Sequence, residues 1–206
     1  MSNRLRVAGI LSGIVFAVGL VGTLAVPGGG DVTDKQFTDF YSSSGKRLAA
    51  LLSFFVLVIG CWLLVWLFAE LRATLLPGVR ADLGQWFGVA GAVMVIIGGG
   101  IFLGPAGVQI NSKGSAFVGP VLAHALAQAG LIPMVVGFWT MGVGIFLTSH
   151  RMRGSAAFPG WLGTFGMIIA VLLLAAYIAI PALLVAIWAI VVGITSRPVA
   201  TALTDR

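Results

Sequence analysis

Charged residues fall into a few short clusters along the chain. Between them lie five charge-free stretches, at residues 7–30, 48–69, 83–112, 114–150 and 154–196, with the histidines counted as neutral. A bilayer's hydrocarbon core asks for about 20 apolar residues per helix, so each stretch holds at least one span. The pattern predicts an integral, multi-pass, α-helical membrane protein.

Breakers and polar boundaries place the spans. The first runs over about 7–26 and stops at Pro27-Gly28-Gly29-Gly30. The second covers about 48–69 and closes on Glu70-Leu71-Arg72. The third covers about 85–103 and ends at Gly104-Pro105. Residues 116–150 exceed one span, at about 50 Å if fully helical. Gly130 and Pro133 divide this stretch into an outer-face amphipathic helix over about 120–129 and a fourth span over about 131–149. A single long tilted helix is the competing arrangement. Residues 161–196 also outrun the bilayer, and Pro181 is the strong breaker among them. Two short spans, about 161–178 and 182–195, follow.

The predicted fold is thus an all-α, polytopic transmembrane helical bundle with short loops, one domain over residues 1–206. It has six spans, with five as the alternative. The positive-inside tendency separates the two counts. Six spans put Arg4, Arg6, Arg72, Arg80, Arg151, Arg153, Arg197 and Arg206 inside and Lys35, Lys46, Arg47 and Lys113 outside. Five spans level that distribution. Both termini are therefore expected in the cytoplasm. Arg4 and Arg6 before an apolar run resemble a signal peptide, but the run is longer than the usual h-region and ends without a small-x-small site. It reads as a first span.

Composition agrees: 59% of residues are hydrophobic and 9% charged, against about 25% charged in soluble domains. A net charge of +6 would suggest nucleic acid in a soluble chain. Here topology accounts for it, and no stretch is both basic and soluble. The lone Cys61 excludes an intrachain disulfide.

Candidate chemistry is sparse. No ionisable side chain falls near the centre of a predicted span, which disfavours a proton-coupled pump. Glu70 is expected to form an interfacial ion pair with Arg72, with a coupling carboxylate as the sharper alternative. His124 and His150 fall on opposite sides of this topology and cannot share a metal. His124 and Gln128, four apart, share one helical face, either solvated or touching a lipid headgroup or a partner. Gly9/Gly13, Gly84/Gly88 and Gly100/Gly104 have small-x-x-x-small spacing, suited to internal packing or to docking against another subunit. Gly98-Gly99-Gly100 could unwind the third helix or accept another backbone. No phosphate-loop signature accompanies it. Phe37, Phe40, Tyr41, Trp86, Phe87, Phe158 and Trp161 form an expected interfacial belt, with Phe40 and Tyr41 also candidate contacts. Ser42, Ser43 and Ser44 have no base to activate a nucleophile. No catalytic, cofactor-binding or metal-binding residue is assigned.

Arg6-Val7-Ala8-Gly9-Ile10, Phe40-Tyr41, Trp66-Leu67-Phe68-x-x-Leu71-Arg72 and Phe158-Pro159-Gly160-Trp161-Leu162-Gly163 carry a resemblance over most of the chain. It resembles small six-span integral membrane proteins of high-GC, actinobacterial-type bacteria, a family with no assigned activity. The resemblance implies a bacterial inner-membrane location. The expected role is a non-enzymatic accessory or scaffolding subunit, in contact with membrane lipids and other membrane subunits and not with nucleic acid. A small transporter or channel for a lipid or neutral solute is the alternative.

Overall fold

The computed structural model describes residues 2–27, 33–75, 78–111, 119–174 and 179–196. Among them it contains helices and no strand. Six are apolar: α1 (Ser2–Leu24), α3 (Ser44–Thr74), α4 (Val79–Phe102), α6 (Pro120–Met152), α7 (Gly160–Leu173) and α8 (Ala179–Thr195). Two short helices, α2 (Asp34–Ser42) and α5 (Gly104–Asn111), fall between the long ones. Helices α1, α3, α4 and α6 are long and apolar enough to cross a membrane, whereas α7 and α8 have 14 and 17 residues.

Each apolar helix packs on the next in sequence, and α8 returns to α1, closing a ring. Glycine contacts set antiparallel registers. Gly9 lies against Gly193, and Gly13 against Ala186 and Ile190, joining α1 to α8. Gly60 of α3 seats Phe16 of α1, and Gly22 lies by Ser53. The most extensive pairing joins α4 to α6. Gly84, Gly91 and Gly98 on α4 meet Gly144, Gly137 and Gly130 on α6, each near the other's carbonyl. A Cβ on Gly91 would lie 2.6 Å from the Gly137 oxygen, and one on Gly137 2.8 Å from the Gly91 oxygen. Both triplets repeat every seven residues, which keeps one seam facing its partner along the helix.

The ring's centre is filled. Phe16 and Phe138 meet edge to face at 6.3 Å, and Phe68 and Trp188 lie 5.6 Å apart. All four are buried. The outside carries apolar stripes at helical spacing, such as Leu48, Leu52, Phe55, Ile59 and Trp62 on α3. Trp62 is 72% exposed. A core that stays apolar while each helix also turns an apolar face outward suits a bilayer as solvent.

Several expectations are corrected. Residues 120–129 and 131–149 form one continuous helix with Pro133 inside it, not a surface helix followed by a span. Gly130 is a packing notch for the α4 backbone, not a break, and Pro133 removes a single helical N–H. Residues 98–100 stay helical, and Gly98 receives the α6 backbone at Gly130 and Met134. Pro181, expected to separate the last two helices, lies instead within the first turn of α8, which begins at Ala179. Gly104-Pro105 both ends α4 and opens α5, since proline suits a helix's first turn.

If the α4–α6 seam sets the fold, Gly91→Val should abolish monodisperse, thermally cooperative protein in detergent. Gly45→Ala, in the first turn of α3 with nothing within 4 Å, should be neutral or raise stability by up to about 1 kcal/mol. Equal behaviour of the two variants in a melting assay would contradict the seam's role.

Candidate functional site

Chemistry-bearing residues gather at the ends of the ring. One end collects Lys35, Lys46, Arg47, Asp34, Asp39 and His124; the other collects Arg4, Arg6, Arg72, Arg80, His150, Arg151 and Arg153. Helix α2 organises the first of these, the lysine end. Thr33 forms a capping box with Gln36: the Gln36 N–H donates to Thr33 Oγ1, and the Thr33 N–H donates to Gln36 Oε1 at 3.0 Å. Two otherwise orphaned donors are thereby satisfied, which starts a nine-residue helix in a polar segment. Ser43 then ends α2 and caps α3.

Phe37 and Tyr41, four residues apart, form the buried face of α2. Their rings stack at 5.0 Å, and the Phe37 ring lies 4.4 Å from the His124 imidazole on α6. Asp34 Oδ1 is 3.8 Å from His124 Nε2. The Asp34 side chain is 76% exposed, so this contact orients more than it stabilises. An Arg47 Nη1 N–H donates to the Tyr41 carbonyl, tying the end of α2 to the start of α3. Lys46 Nζ sits 6.0 Å above the Phe40 ring. Pro27, Gln36, Asp39, Phe40 and Lys46 line a shallow cleft of about 350 Å³ beside it.

Burial pushes the Tyr41 phenol up to about 12. Its Oη makes no hydrogen bond among the described residues. The neutral phenol is the form the cap accepts. Its stabilising contribution is complete below about pH 10 and is lost as pH rises through about 12.

The structure thus brings three candidates, Phe40, Tyr41 and His124, into one aromatic cap. Gln128 lies one turn further along α6. The glycine candidates lie elsewhere. Gly9, Gly13, Gly84 and Gly88 are buried in contacts within the chain, Gly88 against the Phe68 ring. A Cβ on Gly100 would sit 3.5 Å from the Phe54 ring, and Gly104 has nothing within 4 Å. The aromatic belt is split: Trp86 and Trp161 face outward, whereas Phe37, Tyr41 and Phe158 are buried.

At the arginine end, Arg72 Nε pairs with Asp82 Oδ1 at 2.6 Å, while Glu70 accepts from the Trp66 indole at 3.0 Å. The expected Glu70–Arg72 pair does not form, because residues two apart point to different sides of a helix. Deeper in, Ser149 Oγ and Trp188 Nε1 are buried without hydrogen-bond partners among the described residues, and both abut Gly166, where a Cβ would clash. His124 and His150 sit at opposite ends of α6. Among the described residues no three His, Cys, Asp or Glu side chains converge as metal ligands do. Cys61 is buried.

The architecture is that of an all-helical bundle with membrane-compatible apolar helices. Comparison with protein-family models, curated proteins and solved structures finds no match.

The sequence reading missed α2, although Thr33-x-x-Gln36 is a capping-box signature and Phe37/Tyr41 give it an apolar face. A spectroscopic titration tests the cap. The tyrosinate difference spectrum between the native chain and Tyr41→Phe should rise near pH 12. Phe37→Ala, which removes the ring stacked on Tyr41, should return that transition toward 10. A Tyr41 transition near 10 in the native chain would show the cap to be open.

Proposed function

We propose that this chain is a non-enzymatic, six-span subunit of a bacterial inner membrane, acting as an accessory or scaffolding element of a larger membrane assembly. In this reading α7 and α8 are the short fifth and sixth spans, and both termini lie on the cytoplasmic side. The observation that carries it is the filled interior. Phe16 on Phe138 and Phe68 on Trp188 occupy the middle of the ring at two levels. A bundle with no interior site acts through its ends and its outward faces. A route for solute through the centre would require these rings to part, which disfavours the transporter reading. The grouping of arginines at one end supports the orientation.

Cysteine labelling tests the orientation, because the native Cys61 is buried and gives little background. Right-side-out vesicles treated with an impermeant maleimide should label Ser42→Cys and spare Ala156→Cys; the reverse pattern would invert the topology. Blue native gels and crosslinking from native membranes should show the chain in a complex larger than one copy. Migration only as a free monomer, or solute flux in liposomes above empty controls, would overturn the accessory role.

A further inference from the structure

Buried polar groups in an apolar bundle need partners, because neither lipid nor a leucine side chain supplies one. A hydroxyl can turn back to a carbonyl of its own helix. Ser12 donates to the Gly9 carbonyl at 3.1 Å, Thr140 to the Val136 carbonyl at 2.7 Å and Thr195 to the Val191 carbonyl at 2.6 Å. Ser149 does not. It is fully buried, its Oγ makes no hydrogen bond among the described residues, and that oxygen lies against Gly166 on α7. An indole N–H is a donor only and needs an acceptor from outside the ring. Trp188 on α8 is also fully buried, and its Nε1 finds no acceptor among the described residues.

The two orphaned atoms converge. Both lie within 2.7 Å of the point that a Gly166 Cβ would occupy, so one bridging water reaches both. The absence of a side chain at Gly166 is what lets them approach. They form no hydrogen bond with each other, yet a water makes them complementary: it accepts from the indole and donates to the hydroxyl oxygen. A source of water is near. Ser149 precedes His150, which with Arg151, Arg153, Gly154 and Ser155 lines a cleft of about 480 Å³ at the α6–α7 turn. Gly163, one turn nearer that cleft on α7, faces the Ser149 carbonyl and the Arg153 stem.

We propose that Ser149 and Trp188 hold one structural water between α6, α7 and α8, admitted from the cleft at the α6–α7 turn. The Trp188 ring also packs 5.6 Å from Phe68 of α3, so the water positions a ring that fills the centre of the bundle. The proposal does not depend on the accessory role.

A crystal structure of the full chain in lipid, at a resolution that shows ordered water, tests this directly. Density for one water within hydrogen-bond distance of both Ser149 Oγ and Trp188 Nε1 is expected. A direct bond between the two side chains, or no density joining them, would overturn the assignment. Ultraviolet resonance Raman in detergent gives a second readout, because an indole band reports whether the N–H donates. The difference between the native chain and Trp188→Phe isolates this ring and should show a donating indole. Ser149→Ala should shift the band to the free-indole position, whereas Thr140→Ala, elsewhere on α6, should leave it in place. If Trp188→Phe does not fold, the difference between the native chain and Ser149→Ala carries the same band. A free indole in the native chain, no shift in Ser149→Ala, or an equal shift in Thr140→Ala would count against the bound water.

Discussion

The backbone contact between α4 and α6 is the constraint on which the remainder of the bundle rests. In lipid the usual driving force for association is absent, because a leucine is as comfortable against an acyl chain as against another leucine. What remains is contact quality, and glycine improves it by letting two helices approach until carbonyls touch α-carbons. Gly84, Gly91 and Gly98 against Gly144, Gly137 and Gly130 do this three times in one register. Dispersion and weak Cα–H···O contacts then act along the whole seam. Each is small alone, and their sum depends on every position being free of a Cβ.

That closeness propagates around the ring. Gly88 lies one turn from Gly84, on the side of α4 that meets α3, and there it accepts the Phe68 ring. Phe68 in turn faces Trp188 of α8, and α8 is held to α1 by Gly193 and Gly9. The glycines therefore bring the helices close enough for a few large rings to fill the centre. A filled centre follows from the same packing that stabilises the bundle. Charged side chains are correspondingly confined to the ends among the described residues, whereas the buried polar groups include the hydroxyls of Ser12, Thr23, Thr148 and Ser149 and the indole of Trp188.

How much of this was legible depends on which signal is read. Charge-free runs located the apolar helices well, because exclusion of charge from hydrocarbon is a strong constraint that acts on every residue. Glycine spacing was harder. The four-residue pairs Gly9/Gly13 and Gly84/Gly88 drew attention, whereas the working pattern between α4 and α6 is the seven-residue repeat on both helices. A pattern shared between two distant segments becomes visible only when they are laid side by side. Gly130 and Pro133 read as a break because local propensity favours one; tertiary packing overrode it. The Glu70–Arg72 pairing was excluded by helix geometry alone. Helix α2 had a legible capping box at Thr33 and Gln36, and its polar composition obscured it. The partners of Tyr41 and His124 were beyond reach, since α2 and α6 are about 80 residues apart in the chain.

The two ends are built on different principles, and that difference bears on how such a bundle can act. At the lysine end, an amphipathic helix folds back and buries its aromatic face, so Phe37 and Tyr41 serve the chain itself. Its charged groups are short-range and mixed in sign, with Asp34 beside His124 and Asp39 sharing a cleft with Lys46. Such an arrangement favours closure over recognition of a charged ligand. At the arginine end, Glu70 and Asp82 are engaged within α3 and α4, and His150, Arg151 and Arg153 line a cleft at the α6–α7 turn. Arginine holds an acidic partner through a planar fork, whereas lysine presents a hydrated point charge. With rings filling the interior and one end folded over itself, the arginine end keeps a cleft lined by basic side chains at the surface of the bundle.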